Sequence, residues 1–182
     1  MSNRLPDIIQ KCKSQDRTGQ KDLFEMYKDI LFPICLRYVK NEEEAEDVFI
    51  EGFYKIFSKI EDFKSEGSFE GWMKKIFIHT AINHYHKIRH LSENVLFQDE
   101  VVDTYSDQHD IISKLTEREL LKMISTLPDG YRMVFNLYVI EGYDHEEIGV
   151  MLGITASTSR SQLVKARKTL QKKIKETKII AA

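Results

Sequence analysis

Between Thr155 and Lys173 the chain reads TASTSRSQLVKARKTLQKK, where hydrogen-bonding side chains alternate with apolar ones at helical spacing. The chemistry these residue types offer is recognition. Arginine pairs with the major-groove edge of guanine and glutamine with that of adenine, while serine and threonine reach a base or a phosphate. If Ser159, Leu163, Ala166 and Leu170 turn inward, then Ser157, Thr158, Arg160, Ser161, Gln162 and Lys165 are left to meet base edges. Arg167, Lys168, Lys172 and Lys173 then fall near phosphates. From Thr155 to Ala182 there are eight Lys or Arg against one acid, Glu176. A solvated basic helix closing a bundle would carry the same charge, so the flanking elements have to decide.

Those elements read as a helix-turn-helix. Asp144 and Glu147 have the spacing of a capping box, and Ile148, Met151 and Leu152 supply the apolar face of a short scaffold helix. Gly153 and Ile154 make the turn and Thr155 caps the reading helix. A DNA-reading pair needs these parts in this order. Upstream, Ile111, Ile112, Leu115, Leu120, Met123, Ile124 and Leu127 recur at helical steps. Pro128 suits the start of a further helix carrying Met133, Val134, Leu137 and Tyr138.

The N-terminal half is helical too. Leu23, Met26, Tyr27, Ile30, Leu31, Ile34 and Tyr38 mark one long helix, with Pro33 inside it. Asn41 and Glu44 cap the next, which carries Ala45, Val48, Phe49, Phe53, Ile56 and Phe57. Ser68 caps a third, running through Trp72, Ile76, Phe77, Ala81 and Ile88. The formal net charge of −2 hides segregated blocks. Asn41–Glu51 has six acids and no base, Gly71–His90 four bases and no acid, and Ser92–Asp110 six acids and no base. Such blocks point to more than one partner surface. The fold expected is all-α: a helical domain over 1–90, an acidic linker over 91–110, and a small helix-turn-helix domain over 111–182.

Several functions are disfavoured. No nucleophile–base pair, phosphate-cradling glycine loop or paired catalytic carboxylate stands out, so no enzyme is expected. Cys12 and Cys35 lack metal or redox spacing and read as small buried hydrophobes. His86 and His90 lie one helical turn apart near His84, but no third ligand has convincing spacing. Neither a metal nor another cofactor is expected. No apolar run spans a bilayer and the N-terminus has no secretion signal, so the expected location is cytoplasmic without membrane insertion.

AEDVFIEGFYKIFSKIEDFKSEGSFEGWMKKIFIHTAINHYHK resembles the second conserved region of bacterial sigma factors, and LPDGYRMVFNLYVIEGYDHEEIGVMLGITASTSRSQLVKARKTLQ resembles their fourth. With little between them, the chain is similar to the compact extracytoplasmic-function (ECF) type. The resemblance implies a promoter-specificity subunit that binds core RNA polymerase and promoter DNA. Asp47, Glu51, Gly52 and Phe53 would meet the β′ coiled coil, although Ile50 stands where a glutamine is common. The loop from Phe63 to Phe69 and the helix after it would hold the non-template strand of the −10 element. Phe63, Lys64, Ser65, Phe69, Lys75, His79, Asn83 and Lys87 are the candidates there, with Trp72 better read as core. The basic C-terminal helix would read the −35 element, and Met133, Val134 and Leu137 would either pack inside or meet the β flap. An anti-sigma factor is the further partner implied. Two other readings compete: a self-sufficient dimeric helix-turn-helix regulator, and a histidine-based metal hydrolase.

Overall fold

The computed structural model of the chain describes residues 4–92 and 117–180, and among these there is no strand. The greater part of the expected linker, 93–110, lies outside the described residues, as do Ile111, Ile112 and Leu115. The chain divides into two compact units, Met1–His84 and Tyr85–Ala182.

In the N-terminal unit, α1 (Leu5–Lys13) buries Ile8 and Cys12. α2 (Arg17–Tyr38) starts at Asp16, whose side chain accepts the Thr18 N–H at 2.7 Å, and runs through Pro33 without ending. α1 lies close on α2 because residue 19 is glycine: a Cβ there would strike the Lys11 Cβ. α3 (Glu42–Lys59) begins at Asn41, whose Oδ1 accepts the Glu44 N–H at 2.8 Å. Glu42, Glu43 and Glu44 occupy its first turn, where the helix dipole favours negative charge. A 3₁₀ turn (Ile60–Asp62) and a loop lead to α4 (Phe69–Ser92), which Ser68 caps through the Gly71 N–H and which runs across the boundary between the units after His84.

The core of this unit is aromatic. Phe49 and Phe53 pack edge-on at 5.0 Å, and both meet Phe24 and Phe77 within 5.8 Å. Offset and edge-to-face pairs of this kind add to the burial of area. Phe77 is fully buried and lies over Gly52; a Cβ at 52 would come within 2.6 Å of its ring. Cys12 and Cys35 are buried, which pushes their thiols up to about 11 and about 12 and keeps them protonated at neutral pH.

The C-terminal unit comprises α5 (Glu117–Ser125), α6 (Asp129–Phe135), a π-helical turn (Asn136–Ile140), α7 (His145–Leu152) and α8 (Ala156–Ile180). Pro128 stands at the N-cap of α6, one residue before its first helical position. Buried Ile124 and Leu127 pack on Ala166 and Leu170 of α8. Arg132 is only 3 % exposed, yet its charge is satisfied. It donates to the Ser125 and Leu127 carbonyls at 3.2 and 2.8 Å and pairs with Asp129 at 2.7 Å. A buried guanidinium is tolerable only when so bonded.

Candidate nucleic-acid interface

The helix-turn-helix is closed by reciprocal caps. Asp144 Oδ1 accepts the Glu146 and Glu147 N–H groups, and Glu147 returns the bond to the Asp144 N–H at 2.9 Å. α7 ends at Gly153, whose φ of +65° is the left-handed conformation that glycine adopts at little cost. The turn is tight: the Ile154 N–H donates to the Gly149 carbonyl at 3.0 Å. Thr155 Oγ1 then accepts the Thr158 N–H at 3.0 Å and starts α8. Ser159, Leu163, Ala166 and Leu170 are buried, on the inward stripe expected of them. His145 Nδ1 lies 2.9 Å from the Ser159 Oγ, a direct bond between the two helices.

Ser157, Thr158, Arg160, Ser161 and Arg167 are exposed, and Lys165 and Lys168 are half-buried. Three of the cations on α8 have a nearby group that steadies them. Arg160 stands 3.9 Å from Glu146, Lys165 lies 5.8 Å over the Tyr131 ring, and Arg167 lies 6.0 Å over Tyr138. Gln162 is placed differently from the expected outward reader. Its amide rests against Gly130, where a Cβ would meet it at 3.0 Å, and its Oε1 is buried without a hydrogen-bond partner. Residue 162 precedes buried Leu163 and falls on the flank facing α6, so a reading that divides the helix only into inside and outside misplaces it.

The sequence reading missed Val164. It is 51 % exposed and falls in one row with Ser157, Ser161 and Lys168. That spacing was its signal, since an apolar side chain in a row laid against a major groove would meet the thymine methyl group. The reading also missed the π turn, which leaves Tyr138, Val139 and Ile140 exposed in succession. Tyr138 stacks on His145 with centroids 4.4 Å apart. Met133, Val134 and Leu137 are fully buried, so core packing accounts for them.

In the N-terminal unit, Lys64, Ser65, Glu66, Gly67 and Ser68 form an exposed loop. Phe63 and Phe69 close its base, with centroids 4.9 Å apart, and Trp72 stacks on Phe69 at 5.5 Å. Phe63 and Phe69 are 7 % and 5 % exposed, so in this conformation their rings pack the loop's foot and offer no free face to a base. Ser65 and Gly67 have φ of +60° and +94°, and Ser65 holds that left-handed conformation at a cost. Lys75, His79, Asn83 and Lys87 are all exposed, spaced four apart along α4.

α3 places in different surroundings the four residues that the sequence reading grouped. Asp47 and Glu51 are exposed, but Gly52 and Phe53 are buried against α4 and the aromatic core. The outward residues beside the two acids are Ile50 and Tyr54, 68 % and 72 % exposed. Their signal was spacing: 47, 50, 51 and 54 share the face opposite Val48, Gly52 and Ile56.

The chain matches two family models: sigma-70 region 2 over residues 23–90, the aromatic unit with its loop, and sigma-70 region 4 over residues 117–170, the helix-turn-helix unit. The chain belongs to the sigma-70 family. Full-length relatives agree. The ECF RNA polymerase sigma factor SigW of Bacillus subtilis is 26 % identical, over 97 % of this chain and 100 % of that protein. The ECF RNA polymerase sigma-E factor of Haemophilus influenzae is 25 % identical, over 96 % and 98 %. The fold matches that of the sigma factor RpoE of Bartonella quintana, solved in complex with the anti-sigma factor NepR. The TM-score is 0.51 at 20 % identity, covering 85 % of this chain and 96 % of that one.

This sigma factor directs promoter-specific initiation, and its work is recognition, not catalysis. Among the described residues no helix is long and apolar enough to cross a membrane, and no group of three His, Cys, Asp or Glu is placed to hold a metal ion.

Proposed function

We propose that the two units divide the promoter between them. α8 reads the −35 element in the major groove, and the loop Lys64–Ser68 with the exposed row of α4 captures the opened non-template strand of the −10 element. The observation that carries the first half is the preformed helix-turn-helix, which leaves Ser157, Ser161 and Val164 in one outward row with flanking cations beside it. For the second half, the loop offers backbone and small polar groups above a rigid aromatic foot, while Lys75 and Lys87 can follow phosphates. Opening a duplex costs roughly 1.4 kcal/mol per base step. Capturing a flipped base must offset that cost.

On this reading, residues 1–90 form the core-binding and −10 domain, 91–110 the linker and 111–182 the −35 domain. Asp47 and Glu51, with Ile50 and Tyr54 between and beside them, form the surface that meets the polymerase β′ coiled coil. The exposed turn of Tyr138, Val139 and Ile140 is the apolar surface offered to the β flap. A cytoplasmic site of action and control by an anti-sigma factor complete the proposal; the RpoE relative is solved with such an antagonist.

The test is run-off transcription on genomic fragments with purified core polymerase. Discrete start sites absent from the core-only control are expected, together with weak DNA binding by the free chain. Symmetric, tight operator binding by the chain alone would replace this reading with a dimeric regulator. A second measurement concerns phosphate contact. Lys172 is 75 % exposed at its side chain, and Lys172→Ala should reduce the slope of log K against log salt by about 0.9 without changing base preference. An unchanged slope would remove Lys172 from the interface.

A further inference from the structure

We propose that Lys13, in the last turn of α1, is a positioning residue for the strand-capture loop. Its ammonium donates to the Phe63 carbonyl at 3.1 Å, across fifty positions of chain. Phe63 is where the exposed loop leaves the packed unit. Its N–H donates to the Ile60 carbonyl at 3.3 Å, and its ring is held between Phe69 and Trp72. The Lys13 bond fixes the remaining backbone group of this residue. The hydrogen bonds that order the loop sit at its two ends, at Phe63 on entry and at Ser68 on exit, where Ser68 caps α4. Between them, Ser65 and Gly67 hold left-handed backbone and are exposed to solvent.

A hinge so placed sets the direction in which residues 64–68 emerge. A charged donor on a carbonyl is stronger than a neutral one and is aimed by the helix that carries it. α1 is itself rigidly seated, because Gly19 lets it approach α2 and buried Ile8 and Cys12 hold its inner face. Lys13 acts through the Phe63 backbone and does not itself touch DNA. The inference rests on the reading of the loop as the −10 capture element.

The test uses the full chain with core polymerase and a responsive promoter carrying 2-aminopurine in the non-template strand of the −10 element. Lys13→Met keeps the apolar stem and removes the donor; it should slow the fluorescence rise by about tenfold, the worth of one charged hydrogen bond. Lys13→Arg keeps a donor and should restore the rate. Core affinity and the salt slope of promoter binding should stay unchanged in both, and Lys13→Met should lower the melting temperature by no more than about 2–6 °C, leaving the protein folded at the assay temperature. A slope lower by about 0.9 for Lys13→Met would make Lys13 a phosphate contact and overturn the proposal. So would a population of unfolded Lys13→Met at the assay temperature large enough to account for the slower rise, or opening at the normal rate in Lys13→Met while Lys64→Ala and Ser65→Ala open slowly. If those two loop variants also open normally, the loop reading itself fails and takes this inference with it.

Discussion

Gly52→Ala is expected to destabilise the protein by about 1–3 kcal/mol, the range for forcing an extra carbon into a filled core. The new Cβ would fall within 2.6–2.9 Å of three atoms of the Phe77 ring, and Phe77 is fully buried with Phe49 and Phe53 against it. The ring has nowhere to go without moving α4. Denaturant unfolding should show a lower midpoint at an unchanged slope. Tyr54→Ala is the contrasting change. Tyr54 is 72 % exposed, so stability should shift by no more than about 0.5 kcal/mol. Core-polymerase affinity should fall by about tenfold or more, as when an aromatic anchor is removed from an interface centre. Full stability in Gly52→Ala combined with lost polymerase binding would return residue 52 to the docking surface.

Arg160→Ala should relax the choice of upstream element while leaving core binding intact. A bidentate arginine–base pair is worth about 1–3 kcal/mol of discrimination, or roughly 5- to 150-fold between the preferred and substituted base. Arg160 is well placed for this: its side chain is 58 % exposed, and Glu146, at 3.9 Å, steadies it without burying it. The measurement is run-off yield across a set of promoters substituted at each upstream position. Loss confined to one position identifies the base that Arg160 reads. Equal loss on every promoter would instead make it a phosphate contact, which positions the protein without specifying sequence.

The helix-turn-helix was legible residue by residue because its signals are local. A capping box, a left-handed glycine and a threonine cap each depend on neighbours within a few positions, and each forms as expected at Asp144, Gly153 and Thr155. What resisted reading depends on tertiary neighbours. Gln162 turns from the outward row because α6 offers it the open space above Gly130, which no periodicity encodes. Phe53 belonged both to an apolar stripe and to a family docking motif; only the approach of Phe77 favours the stripe. The π turn at Asn136–Ile140 widens a helix whose apolar spacing still looks regular. Lys13 carries no signal at all in a linear reading, since its partner is a backbone carbonyl.

On the proposed reading α8 faces the DNA, and through Ala166 and Leu170 it also forms part of the wall of its own unit's interior. The orientation of the reading residues is therefore inherited from how tightly Ile124 and Leu127 seat that wall. Promoter preference in a lineage of such proteins can thus drift through substitutions that never see nucleic acid. A slightly smaller side chain under the helix would re-aim every reader at once, and a comparison confined to the readers would record no change.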